Sequence, residues 1–516
     1  MKKIGLPGGE KVNKLLFWGF LALGLFARLW LFGSVPEDIN QDEAFAAYEA
    51  YSILTTGMDT AGYRFPVYLT AWGSGMNALE SYLMLPLIAL FGLKEWVMRF
   101  PQLLVGLLSL WVCYLTVRRM AGERPALLAL LLLAVSPWHV MLCRWGLESN
   151  LAPGFLLFGL YFFLRGLEDS WFLPLSALMY GLSLYAYATI WPFVPLMLLL
   201  QMLYCVRRGR LAFDGWFWLA GLVLFAMALP LLLFLLVNFD VLEEIRLPFL
   251  SIPRLLYMRS GEFSFSNIPE NLKNLFLLLW RQSDGLPWNS AESYGLIYPI
   301  SLPFTLLGLF AGIRRLLRAG RREFCPEALL LIQLLTGVLL GALINVNVNR
   351  VNIIFIPLIL LTAQGLCCLA ALSRERVAAL AAALYLLGFL LFQCFYFGEY
   401  RETIRPYFSY GLEAAMEAVT EDYEGTVYVS ENIQYPKILF YDRTDPDEFR
   451  ETVEYRYYPA AFLQAEVFGR WRFGWDEAAL DMSARYILSP WDGTGPFEAA
   501  GFTLERFGTI TIAYIN

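Results

Sequence analysis

The chain has 516 residues, of which 58% are hydrophobic and 16% are charged, and its net charge is −6. Ordinary soluble domains are roughly 45–50% apolar and 25% charged. Runs of about 20 apolar residues match the thickness of a bilayer core, so the composition excludes a soluble globular protein and predicts a polytopic α-helical membrane protein.

Apolar runs along the chain predict about 11 transmembrane helices. The first run follows the N-terminal lysines and is not followed by an A-x-A cleavage pattern, so it is predicted to be an uncleaved helix rather than a signal peptide. The predicted spans are 15–33, 97–117, 126–142, 151–165, 172–188, 190–206, 216–237, 294–313, 327–345, 351–371 and 377–397.

Basic residues are grouped at every second connection between these spans, and the positive-inside rule assigns that side to the cytoplasm. They are Lys2, Lys3, Lys11, Lys14, Arg118, Arg119, Arg124, Arg165, Arg207, Arg208, Arg210, Arg314, Arg315, Arg318, Arg321, Arg322, Arg374 and Arg376. With an odd number of spans, the N-terminus is cytoplasmic and the C-terminus is extracytoplasmic. The uncleaved first helix and the lack of cysteine after residue 400 favour a bacterial plasma membrane.

The segment 34–96 is predicted to be one long external loop. Its apolar piece Leu79–Phe91 is too short to cross a bilayer, and counting it as a span would place Arg118 and Arg119 outside. The loop therefore carries two helices along the membrane surface, and the first opens with the acidic stretch EDINQDEAFAAYEAY from Glu37.

The chain is predicted to divide into a membrane domain, 1–397, and an external domain, 398–516. From Gly398 onward it contains 21 Asp plus Glu and 10 Lys plus Arg, so this part has a net charge of −11 and the remainder +5. The segments 425–430, 484–489 and 503–515 have the pattern of strands, and 410–419 has the pattern of a helix. A small α/β domain is expected.

Ionisable residues are nearly absent from the middle of the spans and concentrate at their external ends. A proton or ion carrier would place carboxylates at mid-membrane, whereas this pattern indicates a reaction site at the outer water–lipid boundary. The residues at that boundary are Arg28, Asp42, Glu43, Glu80, Arg144, Glu148 and Arg350.

Four segments in a fixed order resemble glycosyltransferase family 39, which includes protein O-mannosyltransferases and aminoarabinose transferases. They are ARLWLFGSVPEDINQDEAFAAYEA, FGLKEWVMRFPQLLVGLLSLWVCYLTVRRMAG, LLLAVSPWHVMLCRWGLESN and NVNRVNIIFIPLILLTAQGL. The resemblance implies a C-type glycosyltransferase fold and transfer of a sugar from a polyprenyl phosphate to an acceptor on the outer face of the membrane. In the family, the acidic pair opening the first external helix contains the catalytic carboxylate; here the pair is Asp42 and Glu43.

The residue types suit that chemistry. Asp42 is predicted to act as general base towards the acceptor hydroxyl, with Glu43 as the weaker candidate. The phosphate leaving group requires positive charge, for which Arg350, Arg144 and Arg28 are candidates. Single displacement would invert the anomeric carbon. The structural alternative is that Asp42 and Glu43 only stabilise the first turn of their helix.

The other candidates also have structural alternatives. Arg350 can be a helix-end residue that reaches the interface. Arg144 and Glu148, four residues apart, line the site or pair with each other, and Arg28 is expected to pair with an acidic neighbour. Glu80 is a further substrate-binding candidate because it lies near where the aminoarabinose transferases have a second acidic residue, but their Lys-Pro-Pro pattern is missing here, so this role stays open.

No cofactor is expected. The only histidine is His139 and no Cys/His ligand spacing occurs, which argues against a zinc site; a divalent ion at Asp42 and Glu43 is the less favoured alternative. The expected partners are a polyprenyl-phosphate-linked sugar, the membrane, and a protein, lipid or cell-wall polymer as acceptor, with no nucleic acid. The competing functions are a lipid or solute transporter or flippase, and a non-catalytic scaffold.

Overall fold

The computed structural model describes residues 9–258, 263–373 and 375–515. Lys2, Lys3 and Arg374, which contributed to the charge pattern, lie outside these ranges. The helices are α1 Gly9–Leu29, α2 Gln41–Thr56, α3 Leu79–Phe91, α4 Glu95–Ala121, α5 Glu123–Val135, α6 Pro137–Leu142, α7 Ala152–Gly166, α8 Leu173–Leu184, α9 Phe193–Arg207, α10 Gly215–Asn238, α11 Ile268–Arg281, α12 Ser301–Arg318, α13 Glu327–Leu343, α14 Phe355–Ser373, α15 Glu375–Phe397, α16 Glu399–Phe408, α17 Leu412–Thr420, α18 Tyr435–Asp442, α19 Pro446–Thr452 and α20 Gly495–Ala499. The strands are β1 Tyr68–Leu69, β2 Met76–Asn77, β3 Ile245–Leu247, β4 Leu250–Ile252, β5 Val427–Val429, β6 Glu454–Tyr455, β7 Ala465–Phe468, β8 Trp471–Phe473, β9 Arg485–Leu488, β10 Thr503–Phe507 and β11 Ile510–Tyr514.

A helix lies in every predicted span, which confirms the polytopic helical fold. Within the described residues, six helical segments are long and apolar enough to cross a membrane, by length and composition alone: Gly9–Leu29, Glu95–Ala121, Ala188–Arg207, Gly215–Asn238, Asn352–Ala371 and Ala379–Phe397. The other predicted spans contain shorter helices or, for α12, a helix with arginines in its last turns. The count of eleven crossings stays a prediction.

Prolines explain two spans whose boundaries differ from the prediction. The span 126–142 is divided into α5 and α6 at Pro137, which lies at the first position of α6 and cannot continue the preceding helix. The span 294–313 begins as a helix only at Ser301. Before it, Tyr298 has a φ of +61° and precedes Pro299, and the buried apolar chain there is held by Trp138, whose N–H donates to the carbonyl of Leu296 at 2.9 Å.

The external loop carries α2 and α3, as predicted, with the short antiparallel pair β1–β2 between them. The helix α3 has the bounds expected from its apolar run, and Ser81 on its first turn donates to the carbonyl of Ala46 in α2 at 2.7 Å. These two helices therefore pack against each other, and together they hold the N-terminus of α2 at the external end of α4.

The external domain is built on a seven-stranded mixed sheet in the order β10-β11-β9-β5-β8-β7-β6. Strand β5 is parallel to both β8 and β9, and the remaining pairs are antiparallel. The strands predicted from 425–430, 484–489 and 503–515 correspond to β5, to β9 and to the hairpin β10–β11. The predicted helix 410–419 is α17.

The external domain and the external loop share one hydrophobic core, which includes side chains of α2, α3, α17 and α18. Phe45 of α2 contacts Tyr435 of α18 with ring centroids 5.6 Å apart. The buried Tyr48 hydroxyl donates to the carbonyl of Thr444 at 2.8 Å. The sheet domain is therefore packed on the helix that carries the acidic pair.

Candidate active site

The acidic pair begins α2, and the helix start is specified locally. The side chain of Asn40 accepts the N–H of Asp42 at 3.0 Å, and the side chain of Glu43 accepts the N–H of Asn40 at 2.9 Å. Both contacts together form a capping box. Asn40 and Glu43 therefore satisfy backbone N–H groups at the helix start, and the side chain of Asp42 takes no part in this capping box.

Glu43 is fully buried and forms an ion pair with Arg99 of α4, whose side chain is also fully buried, at 2.6 Å. Its second oxygen accepts from Arg99 Nε at 3.1 Å and from the N–H of Gly146 at 2.7 Å. Every acceptor contact of Glu43 thus goes to protein, and the residue does not line the cavity described below. The sequence prediction of Glu43 as the weaker candidate for the catalytic base is not supported by this geometry, which fits a positioning role.

Asp42 is half-buried and lines a cavity of about 910 Å³. The polar residues around it come from four separate loops as well as from α2: Ser74, Asn77, Glu148, Ser149, Thr189, Asn347, Asn349 and Arg350. Residues far apart in sequence thus meet beside the start of α2, and the cavity brings together Asp42, Glu148 and Arg350 from the predicted set.

The remainder of the cavity is apolar. Its walls come from α9, α10 and the loops next to them, and the lining residues include Phe193, Leu196, Ala228, Leu231, Leu232, Phe234, Leu235, Phe239, Leu255, Met258, Phe263 and Phe265. A single cavity is therefore lined both by charged and polar side chains and by many apolar side chains, a combination that suits an amphipathic ligand.

Arg350 belongs to the NVNVNR loop between α13 and α14, and this loop is fixed by its neighbours. Asp284 accepts the N–H of Val348 at 2.9 Å and the side-chain amide of Asn289 at 2.7 Å. The N–H of Arg350 donates to Asn347 Oδ1 at 2.8 Å. The half-buried guanidinium is thus presented at the cavity by a preorganised loop.

Glu148 and Glu80 are placed differently. Glu148 lines the cavity and accepts the backbone N–H of Asn77. Glu80 is buried behind it, where the side-chain amide of Gln102 donates to one carboxyl oxygen. Burial raises the pKa of Glu80 well above its usual value, although the Gln102 hydrogen bond acts in the opposite direction. The prediction of Glu80 as a direct substrate ligand is not supported, because it does not reach the cavity.

Two of the predicted arginines, Arg144 and Arg28, form hydrogen bonds within the protein and do not line the cavity. Arg144 is fully buried and donates to the carbonyls of Val35, Trp30 and Leu31 at 3.1, 3.0 and 2.6 Å. It therefore neither lines the site nor pairs with Glu148, and it satisfies carbonyls at the end of α1 instead. Arg28 has no acidic partner among the described residues: it donates to His139 Nδ1, with 2.6 Å between the nitrogens, and to two carbonyls of α5.

Sequence reasoning missed three residues that shape the site. Arg99, within the quoted segment KEWVMRFPQ, is the partner of Glu43. Trp72 lines the cavity with a φ of +61°, an uncommon conformation for a bulky residue. Its carbonyl accepts the N–H of Leu463 at 2.8 Å, and the adjacent Phe462 lines the cavity as well. Arg99 could have been noticed in the sequence, because it is an arginine near the end of a predicted span. The sequence contains no signal that Phe462 of the external domain lines the cavity.

A buried lysine links the external domain to this acidic region. Lys437 of α18 donates to Ser409 Oγ at 2.8 Å. Burial lowers the pKa of Lys437 to about 8, although Glu43, Asp38 and Asp42 attract its positive charge. The domain thus supplies positive charge behind the acidic start of α2.

A metal ion shared by Asp42 and Glu43 does not fit the side chains. Both oxygens of Glu43 already accept hydrogen bonds from Arg99 and from backbone N–H groups. Within the described residues, no group of three or more His, Cys, Asp or Glu side chains is placed to hold a metal.

Comparisons with known proteins agree with this architecture. The family model described as dolichyl-phosphate-mannose-protein mannosyltransferase matches residues 79–234. No curated protein sequence matches the chain.

Solved structures match over most of the chain. ArnT from Cupriavidus metallidurans in the apo state is 15% identical, with 98% of each chain covered and a TM-score of 0.52; its form bound to undecaprenyl phosphate is 15% identical, with 99% of this chain and 98% of that chain covered and a TM-score of 0.51. The archaeal oligosaccharyltransferase AglB from Archaeoglobus fulgidus, in complex with an inhibitory peptide and a dolichol-phosphate, is 13% identical, covers 86% of this chain and 64% of its own, and has a TM-score of 0.50. The chain has the C-type glycosyltransferase fold, and over residues 79–234 it is similar to the mannosyltransferase family that the matching model describes.

Proposed function

We propose that this protein transfers a sugar from a polyprenyl-phosphate carrier to an acceptor at the outer face of the membrane, with Asp42 as general base. The observation that carries the proposal is the single cavity that joins Asp42 and Arg350 to a long apolar wall. A polyprenyl-phospho-sugar has the same two parts, a charged head and an apolar chain.

In the reaction, the acceptor oxygen attacks the anomeric carbon of the sugar. The bond between that carbon and the phosphate oxygen breaks, and the electron pair leaves with the polyprenyl phosphate. Asp42 accepts the proton that the acceptor hydroxyl loses, which is typically worth about 10²–10⁴-fold in rate. A single displacement of this kind inverts the anomeric configuration.

The leaving group is already a stable anion, so a second carboxylic acid is not needed, in contrast to glycoside hydrolysis. Arg350 supplies the positive charge, since a guanidinium can bind phosphate through two parallel hydrogen bonds. The buried Glu43–Arg99 pair fixes the first turn of α2 and thereby the direction of the Asp42 side chain.

The comparisons support this assignment. The matched family model describes mannosyltransferases that use a dolichyl-phosphate sugar, and the matched ArnT structure holds undecaprenyl phosphate. We propose by analogy that this chain uses such a carrier without a resident metal ion. The acceptor is a protein, a lipid or a cell-wall polymer, and the N-terminus is cytoplasmic while the C-terminus is extracytoplasmic.

The test is release of undecaprenyl phosphate by the purified protein from undecaprenyl-phospho-sugars in the presence of envelope extract as the acceptor source. We expect turnover by the native protein and turnover about 10²–10⁴-fold lower in Asp42→Asn. The matched control is Asp422→Asn, because Asp422 is exposed and its φ of +51° suits asparagine. Full turnover by Asp42→Asn would contradict the catalytic role, and movement of the intact lipid without cleavage would favour a transporter.

A further inference from the structure

A dense group of arginines lies far from the cavity, in two segments of the chain. One segment is the end of α9 with the residues that follow it, and the other is the end of α12 with the loop that leads to α13. The group, termed the arginine patch, consists of Arg207, Arg208, Arg210, Arg314, Arg315, Arg318, Arg321 and Arg322. The segments 207–210 and 314–327 contain only two acidic residues, Glu323 and Glu327.

The helices α9 and α13 connect the cavity to the arginine patch. Helix α9 begins at Phe193, which lines the cavity, and ends at Arg207. Helix α13 runs in the opposite sense, from Glu327 to Leu343, which also lines the cavity. Its 17 residues correspond to about 25 Å at 1.5 Å per residue, close to the thickness of a bilayer core. The patch therefore lies at the membrane surface opposite the cavity.

Hydrogen bonds join the two arginine segments into one surface. The N–H of Cys325 donates to the hydroxyl oxygen of Tyr204 at 2.9 Å, and this hydroxyl donates to the carbonyl of Cys325 at 3.0 Å. The guanidinium of Arg208 donates to the carbonyl of Gly320. Residues more than one hundred positions apart in sequence are thus held side by side.

Most guanidinium groups of the patch are not used by the protein. Arg315 pairs with Glu327, and Arg210 lies over the ring of Phe324, with 5.3 Å from its guanidinium carbon to the ring centre. Five further arginines are exposed and have no hydrogen bond or ion pair with any residue that the structure describes: Arg207, Arg314, Arg318, Arg321 and Arg322. Like charges held close together repel one another, so a bound anion would lower the free energy of this surface.

An apolar stripe on α12 leads to the patch. Its side chains are exposed and recur every three or four residues, the spacing that places them on one face of a helix. They are Leu306, Phe310, Ile313 and Leu317. Arg314 and Arg318 directly follow the last two of these positions. A hydrocarbon chain that lies along the stripe would therefore bring a polar head to the arginines.

The kind of basic residue selects the chemistry of the head. The positive-inside rule counts lysine and arginine alike, and the N-terminal segment of this chain uses lysine, at Lys2, Lys3, Lys11 and Lys14. The patch contains arginine only. A guanidinium can bind a phosphate through two parallel hydrogen bonds, which an ammonium group cannot do. Basic surfaces at the ends of transmembrane helices are known to attract anionic lipid headgroups.

We propose that the arginine patch and the apolar stripe of α12 form a binding site for an anionic phospholipid of the leaflet opposite the cavity. The phosphate binds the guanidinium groups, and an acyl chain lies against the stripe. This site is separate from the cavity proposed for the polyprenyl carrier. The inference goes beyond the proposed function and does not depend on it, because the experiment below measures phospholipid binding and not turnover.

The experiment titrates the purified protein in a neutral detergent and counts bound lipids by native mass spectrometry. Phosphatidylglycerol is the anionic probe, phosphatidylcholine is the control lipid without net charge, and inorganic phosphate and polyglutamate are soluble competitors. The native protein is compared with two double variants, Arg318→Gln with Arg321→Gln and Arg318→Lys with Arg321→Lys. The matched control is Arg64→Gln with Arg506→Gln, which removes two exposed arginines from the external loop and the external domain.

We expect phosphatidylglycerol to bind the native protein more tightly than phosphatidylcholine. Each arginine removed should weaken binding about 5-fold, and the glutamine double variant therefore about 30-fold. The lysine variant should lose less, because it keeps the charge but not the paired hydrogen bonds. It also keeps the charge that orients the chain in the membrane, so it tests the site even if the glutamine variant does not fold.

Three results would overturn the inference: equal binding of the two lipids, unchanged affinity for phosphatidylglycerol in both double variants, or an equal loss in the matched control. Displacement of phosphatidylglycerol by inorganic phosphate or by polyglutamate at the same concentration would also overturn it, because the patch would then bind a soluble anion or an acidic protein segment rather than a lipid.

Discussion

Two buried polar regions contact α2, and their hydrogen bonding differs. Where the external domain packs on this helix, polar groups are paired: Tyr48 with the carbonyl of Thr444, and Lys437 with Ser409. At the cavity, Asn77, Ser149 and Thr189 are also buried, but each has a polar atom with no hydrogen-bond partner among the residues that the structure describes. Native proteins satisfy most buried polar groups and depart from this at functional sites. The comparison therefore assigns stability to the first region and substrate binding to the second.

The largest expected effect is on catalysis alone. Asp42→Asn removes the group that accepts the proton, so turnover should fall by about 10²–10⁴-fold. The helix start should survive, because Asn40 caps it through the backbone N–H of Asp42. Turnover and thermal unfolding are measured on the same preparation. An Asp42→Asn protein that is inactive because it is unfolded would contradict an effect on catalysis alone.

The Glu43–Arg99 pair should behave in the opposite way, as a determinant of stability. Arg99→Met leaves a buried carboxylate without its ion pair, which should cost about 3–5 kcal/mol of stability. The double variant with Glu43→Gln should recover part of this loss, because both charges are then removed. Unfolding of the single and double variants in detergent measures the coupling, and simple additivity of the two losses would contradict the pairing.

Gly146 lies against Glu43 of α2 and Glu80 of α3. A methyl group at this position would lie 2.9 Å from the Cβ of Glu43 and 2.9 Å from Oε1 of Glu80. Gly146→Ala should therefore cost about 1–3 kcal/mol through overpacking and lower turnover by displacing α2. Melting temperature and turnover should fall together, and normal values for both would show that this contact has no role.

At the external domain, loss of one hydrogen bond should affect stability only. Tyr48→Phe leaves the carbonyl of Thr444 without its donor and should cost about 1 kcal/mol. Turnover per folded molecule should be unchanged. A large loss of turnover with an unaltered melting temperature would contradict the claim that this region contributes to stability only.

The last expected effect concerns pH. Burial, followed by the negative charge of Glu95, raises the pKa of Asp38 to about 7. Asp38 accepts from the Tyr441 hydroxyl at 3.1 Å and from the N–H of Gly411, both in the external domain. An ordinary aspartate in the unfolded chain titrates near pH 3.9, so the folded protein binds this proton more tightly. The resulting stabilisation is complete below about pH 4 and is lost as the pH rises to about 7.

Melting temperatures of the native protein and of Asp38→Asn between pH 5 and 8 test this sign. The native protein should lose stability relative to the variant up to about pH 7, and the difference should then stay constant. A difference that does not change with pH would contradict the raised pKa.

The sequence predicted most of the helices because their apolar runs report burial in lipid, and it predicted Asp42 from an acidic pair at a helix start. It favoured Asp42 over Glu43 as the base but could not show that Glu43 is buried, since adjacent residues on a helix face different directions and only the position of Arg99 decides which is buried. Arg144 was misassigned for a similar reason, because charge position along a span does not reveal that backbone carbonyls take up the guanidinium. Neither the contribution of Trp72 nor that of Phe462 had a signal, since both depend on how distant loops pack.

The most direct test of the account is a structure of the protein with undecaprenyl phosphate. We expect the phosphate to lie at Arg350, the carbon chain to lie between α9 and α10, and Asp42 to face the space next to the phosphate. A lipid bound outside this cavity, with no density at Arg350, would contradict the central claim that one cavity holds both the carrier and the catalytic carboxylate.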